Sequence, residues 1–474
     1  MEKIYMKIAG IFFLFLSFSC GAKKDKKIEI GPVAVNNISK VDVQVQDTFK
    51  KGELIPAVIC KTDPAQSYAL YLPLKVSKDV LPIIYFFDPH GNGALPLAKY
   101  KSLADQYGFI LAGSNNSKNG NDFSVAENIW TNLLYDTKSR LKIDASRIYT
   151  CGFSGGAKVA GFIALKHPEV KSVIAGGAGL PDGTLPADFR FTYTGIAGEG
   201  DMNMTDLVAF DTALDATKTS HRLILFDGKH EWAPDQIMNI AFAGLQLDAM
   251  REKLIPLDDK FLTAYISNSK NTVSDYIQKG QFTKAESECL LSLRLLEGVT
   301  KDAEWFHKKN LAIKNSAEYQ KQYAAKQALL LTEQNIKAEY RKQFQQGDMN
   351  YWLGTIKDLQ VKSNQVTGEG AMYQRLMAYL SLAFYSISNQ MINSHQDREA
   401  QYFVALYKLD DPSNNEAWYL SAIVNARSGN PEAVKSDLNR AIETGFTDKT
   451  RLEKQVEFQA LSINYAELEA KMKK

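Results

Sequence analysis

Three kinds of side chain at three separate turns could together transfer an acyl group. Gly152-Phe153-Ser154-Gly155-Gly156 has the form G-x-S-x-G, with strand-like residues 147–151 entering it and helix-like residues 157–165 leaving it. An abrupt strand-to-helix turn forces the serine into strained backbone geometry. It presents the hydroxyl at the sheet's carboxyl edge, and the flanking glycines let strand and helix approach. The N–H of Gly155, at the helix start, then points to where an oxyanion would form. A serine hydroxyl is a weak nucleophile until a base removes its proton. That base is expected after the last strand, oriented by a carboxylate after the strand before it. Residues 189–196 read as a strand followed by the turn 197–201, which holds Asp201. Residues 221–226 read as the next strand, followed by the turn 227–230, which ends in His230. The expected nucleophile, acid and base are therefore Ser154, Asp201 and His230, with Asp206, a helical turn further on, as the alternative acid.

Those residues need a sheet to hold them. Residues 41–45 alternate with period two, 67–72 read as a strand, and 81–87 form a near-continuous apolar run, as a strand buried on both faces should. Strand-like segments recur at 109–112, 147–151 and 170–175, and 126–141 has helical apolar spacing. This alternation predicts an α/β domain with a doubly wound, mainly parallel sheet over residues 39–256. Beyond about 257 the strand signals vanish. Amphipathic segments rich in Ala, Leu, Lys, Glu and Gln run to 474 and predict an all-α domain.

The stretch 82–232 resembles α/β-hydrolase esterases of the feruloyl esterase and polyhydroxyalkanoate depolymerase type. The likeness rests on Arg147-Ile148-Tyr149 before the elbow, the elbow itself, Gly198 to Asp201, and Gly228-Lys229-His230-Glu231-Trp232. It covers roughly the first half of the mature chain and implies an esterase without specifying the ester. Members usually have an apolar residue and then His-Gly after the third core strand; here the run is Asp88-Pro89-His90-Gly91-Asn92-Gly93. A backbone oxyanion donor is still expected at Gly91 or Asn92, and His90 is expected to be structural. Asn115 and Asn116, on a polar loop at the same sheet edge, and Phe153 and Trp232, beside the triad, are candidate substrate contacts, with a solvated loop and packing of Trp232 against the sheet as the alternatives. In the helical half, Ala400, Trp418, Gly429 and Ala441 stand at tetratricopeptide-repeat spacings, as does the run Gly280 to Ala285. The region thus resembles a degenerate repeat array, with an irregular bundle as the alternative. Stacked helix pairs form concave surfaces, so a protein or peptide partner is expected there.

The function expected is a serine ester hydrolase without a cofactor, its esters decorating carbohydrates. A peptidase on the same fold and a lipid-anchored scaffold with a vestigial hydrolase half are the rivals. The balance of 56 basic and 54 acidic residues gives no reason to expect nucleic acid. Six histidines without metal-ligand spacing argue against zinc, and four scattered cysteines against a disulfide framework. Residues 1–19, with Lys3 and Lys7 before an apolar run from Ile8 to Phe18, read as a signal peptide. Ser19-Cys20-Gly21 resembles a bacterial lipoprotein cleavage site. It implies a lipid on Cys20, a tether over 20–38, and a periplasmic, membrane-anchored location. The alternative is an ordinary secretory signal.

Overall fold

The computed structural model describes residues 49–74, 80–365, 367–459, 461, 463 and 465–472. Cys20, the signal segment and the strand expected at 41–45 lie outside the described residues. The chain divides into two compact units, the first ending at Gln327 and the second starting at Ala328.

The first unit is built on an eight-stranded sheet. Its strands are β1 (Leu54–Ile59), β2 (Ser67–Tyr71), β3 (Leu81–Phe87), β4 (Ile110–Ser114), β5 (Ile143–Phe153), β6 (Val170–Gly176), β7 (Thr192–Gly198) and β8 (His221–Phe226). They lie in the order β1-β2-β4-β3-β5-β6-β7-β8. β2 pairs antiparallel with both β1 and β4, and every pairing from β4 across to β8 is parallel. This is the α/β-hydrolase fold. Every residue of β3 is buried, which its unbroken apolar run requires. The connecting helices are α1 (Ala94–Tyr107), α2 (Phe123–Arg140), α3 (Gly155–Lys166), α4 (Met204–Leu214) and α5 (Asp235–Arg251).

Three further helices belong to this unit: α6 (Asp259–Gln278), α7 (Phe282–Leu296) and α8 (Ala303–Lys314). One apolar core runs from Ile224 and Phe226 of β8, through Phe242 and Leu245 of α5, to Ile266, Val273, Leu295 and Phe306 of α6–α8. Charged groups tie the same elements. Arg294 of α7 donates to both carboxylate oxygens of Asp211 on α4, at 2.9 and 2.7 Å, and to Asp215 at 2.7 Å. Arg251 donates to the carbonyls of Leu295 and Glu297 at 2.7 and 2.9 Å. The boundary expected between 256 and 257 therefore falls some seventy residues later, inside α9 (Ala317–Gln346). Helices α6–α8 cover an apolar face of the sheet unit, so they are part of its core.

The second unit is helical. After the rest of α9 come α10 (Met349–Lys362), α11 (Gly368–Asn393), α12 (Asp397–Asp410), α13 (Asn415–Arg427), α14 (Pro431–Glu443), α15 (Lys449–Lys454), α16 (Val456–Gln459) and α17 (Tyr465–Met472). Trp352, Phe344 and Phe384 form one of its aromatic clusters, and Arg375 bonds Glu333 at 2.8 and 2.6 Å in the interior. Gly429 and Gly280 both take positive φ, near 69°, between paired helices, and Ala400, Ala441 and Ala285 are buried. The pair containing Gly280, α6–α7, belongs to the sheet unit.

Candidate active site

β5 ends at Phe153, and α3 begins two residues later. Between them Ser154 has φ 53° and ψ −123°, a conformation that L side chains rarely adopt. Its N–H donates to Gly176 O at 2.8 Å and its carbonyl accepts from Ala157 N at 3.0 Å, so bonds on both sides hold the turn. The glycines two residues either side are required by contact. A Cβ on Gly152 would overlap Gly156 O, and one on Gly156 would overlap Phe87 O.

The hydroxyl lies 3.0 Å from His230 Nε2, and His230 Nδ1 lies 2.9 Å from Asp201 Oδ2. Asp201 is only 1% exposed, and its other carboxylate oxygen accepts from Asn203 N at 2.8 Å. The turns carrying acid and base are bonded to each other, Gly200 N to Gly228 O at 2.8 Å. Asp206 is exposed in the first turn of α4, and Asp201 holds the imidazole. Phe153 packs against the His230 ring, with centroids 4.7 Å apart.

No protein-family model matches the sequence, and no curated protein does. Solved structures similar to the sheet half do exist. An esterase of Pyrobaculum calidifontis shares 12% identity with a TM-score of 0.33, over 42% of this chain and 85% of that one. Est1E from Butyrivibrio proteoclasticus shares 12% with a TM-score of 0.34, over 41% and 99%. An S-formylglutathione hydrolase from Agrobacterium tumefaciens shares 17% with a TM-score of 0.30, over 41% and 92%. Likeness of this degree carries no information on substrate.

The turn after β3 departs from expectation. Asp88 is 2% exposed and gathers the turn's donors: His90 N at 2.9 Å and Asn92 N at 3.3 Å bond its Oδ1, and Gly91 N bonds its carbonyl at 3.1 Å. Gly93 N bonds Asn115 Oδ1 at 3.1 Å. The amides of Gly91 and Asn92, expected as oxyanion donors, are thus already committed. Asp88 also accepts from Trp232 Nε1 at 3.0 Å. Four bonds to one buried carboxyl, counting that from the His90 side chain, hold its pKa below the usual value despite desolvation. The His90 side chain itself is exposed on this turn.

The candidate substrate contacts are occupied within the fold. Asn115 Nδ2 donates to Pro56 O and Ser67 Oγ at 3.0 and 3.1 Å. Asn116 accepts from Ser67 N at 2.8 Å and donates to Ala65 O at 3.0 Å. These amides fasten the β4 loop to the β1–β2 hairpin. Phe153 is a buried packing residue. Half-buried Trp232 packs on it with centroids 5.5 Å apart, its N–H spent on Asp88. The polar loop singled out in the sequence also holds Asn119, whose side chain reaches the elbow at Gly155. Among the described residues, no three His, Cys, Asp or Glu side chains group as metal ligands would.

Proposed function

We propose that this chain is a serine hydrolase of carboxylic esters, acting through Ser154, His230 and Asp201. The observation that carries the reading is the continuous hydrogen-bonded line from the Ser154 hydroxyl through both nitrogens of His230 to a buried carboxylate. It begins at a serine in a strained elbow. In this reading Nε2 of His230 takes the hydroxyl proton as Oγ attacks the ester carbonyl. The tetrahedral intermediate collapses, the C–O bond breaks, and the alcohol departs with the proton from His230. Water then adds to the acyl-enzyme, giving its proton to His230, and the second tetrahedral intermediate releases the acid and returns the proton to Ser154. Asp201 keeps the imidazole in the required tautomer and stabilises its charged form. The carbohydrate-linked ester is proposed as the substrate class on the sequence resemblance. A fluorophosphonate probe tests the chemistry: it should label wild type at Ser154 and leave Ser154→Ala unlabelled. Labelling elsewhere, or none, would overturn the assignment. Parallel assays on p-nitrophenyl esters and on feruloylated and acetylated glycans test the substrate class.

We also propose, from the sequence, that the protein is exported and anchored by lipid on Cys20, with its helical half available to a protein partner. Cys20→Ser should move it from the membrane to the soluble fraction or stall its processing; unchanged partitioning and processing would remove the claim.

A further inference from the structure

An acyl-transfer site needs donors aimed at the oxygen that becomes negative, and one amide rarely suffices. On the elbow side the donor is Gly155 N–H, which as the first residue of α3 has no intrahelical acceptor. On the opposite side stands the turn after β3. There the N–H groups of His90, Gly91 and Asn92 go to Asp88, and that of Gly93 goes to Asn115. Pro89 has no N–H to offer. The turn that should supply the second donor has spent its four amides internally.

Asn119 lies between these two sides. Its backbone N–H donates to Pro89 O at 2.8 Å, and its neighbour Lys118 forms an isolated antiparallel bridge with His90, so its main chain is pinned to the spent turn. Its carboxamide reaches the elbow: a Cβ built on Gly155 would overlap Asn119 Oδ1. The side chain is exposed and forms no hydrogen bond with another described residue. It is therefore an amide whose two N–H donors have no partner among the described residues, anchored at its base and touching the residue after the nucleophile. A turn about χ2 exchanges its oxygen and nitrogen, which are interchangeable in shape.

We propose that Asn119 supplies the second oxyanion donor, its Nδ2–H bonding the carbonyl oxygen of the substrate as Ser154 attacks. Asn119 is then a catalytic residue of the reaction proposed above, and the inference rests on that reading. The side chain is exposed and unbonded among the described residues, so it is available to bond charge that develops only in the tetrahedral intermediate. Both acylation and deacylation pass through such an intermediate, so losing the donor lowers kcat whichever step limits turnover.

The test uses the full-length protein and p-nitrophenyl acetate, whose small acyl group leaves little else to bind. Wild-type turnover, abolished by Ser154→Ala, first establishes the serine hydrolase reading; without it that reading fails, and this one with it. Given turnover, Asn119→Ala should lower kcat by about 10²-fold with KM within about threefold. Asn119→Asp, of the same shape but with an ionised carboxylate that only accepts, should lose as much. Fluorophosphonate labelling should slow in step, because phosphonylation builds charge at the same place. The melting temperature should not move, since the side chain is exposed and holds nothing together. A kcat within about threefold of wild type, or a loss confined to KM, overturns the proposal while leaving the triad reading intact.

Discussion

At Ser154 the backbone stores strain that a residue without Cβ would not feel. Such conformations cost on the order of 1–3 kcal/mol each and persist where the surrounding structure enforces them. Here the enforcement is the bond from Ser154 N to Gly176 O and the packing of Gly152 on Gly156. Ser154→Ala and Ser154→Gly should both abolish ester turnover, but they should part in stability. Alanine keeps the strained φ and glycine relieves it, so the glycine variant should be more stable by about 1 kcal/mol. Denaturant midpoints for the two variants measure the difference; an alanine variant as stable as glycine would show that no strain is stored. Asp201 offers a second test. Replacing it by Asn lets the imidazole settle in the wrong tautomer and should lower kcat by about 10⁴-fold. Asp206→Asn, on the exposed face of α4, should stay within about threefold of wild type in the same assay. Ser154, Asp201 and His230 were legible in the sequence because each follows a strand, in the chain order expected of nucleophile, acid and base on an α/β-hydrolase sheet. Asn119 was not. A polar turn residue looks solvated, and only the return of the 118–119 segment to Pro89 brings it to the elbow.

Among the elements, strands buried on both faces announced themselves, and others did not. β3 lies where its apolar run puts it, at Leu81–Phe87, with every residue buried. β1 escaped notice because it is an edge strand with Pro56 inside it and mixed exposure along its length. The amphipathic helices α6–α8 were visible as helices, but their pattern does not say which apolar surface covers them. Their burial has a consequence at α7. Glu288 accepts from Ser292 Oγ at 3.4 Å, and desolvation raises its pKa above the ordinary carboxylate value of 4.5, to about 7. Glu286, on the same helix, is raised by the same cause. A carboxyl whose folded pKa lies above its unfolded value favours the native state while protonated. That contribution is fully present below about pH 4.5 and is lost as pH rises through about 7. Glu288→Gln removes this titration. It should therefore gain melting temperature relative to wild type as pH rises from 5 to 8.5, by about 2–4 °C. Melting curves of both proteins across that range check the sign; a gap that stays constant or shrinks with pH would rule out Glu288 as the source.

The whole chain should come apart at the seam its packing defines. A cut after Pro256 removes α6–α8 and leaves Phe226, Phe242, Leu245 and Met250 without part of the core that covers them. It also strands Asp211, whose two carboxylate oxygens bond Arg294, and takes the acceptors of Arg251 at Leu295 and Glu297. Losing one partner of such an ion pair, largely buried, costs about 3–5 kcal/mol, and each large apolar side chain newly exposed costs about 1.5–3 kcal/mol more. Those losses compare with the whole stability of an ordinary domain, about 5–15 kcal/mol. A chain ending at 256 should therefore be insoluble or unfolded, even though Ser154, Asp201 and His230 all precede the cut. A chain ending at 327, where the first unit closes, keeps that core and those ion pairs. It should express in soluble form, melt cooperatively and retain p-nitrophenyl acetate turnover within about fivefold of the full chain, because every contact drawn on for the proposed chemistry lies inside it. Solubility, a thermal melt and kcat on the two truncations decide the matter together. A folded, active chain ending at 256 would return α6–α8 to the helical half; a folded but inactive chain ending at 327 would show that the second unit contributes to turnover itself.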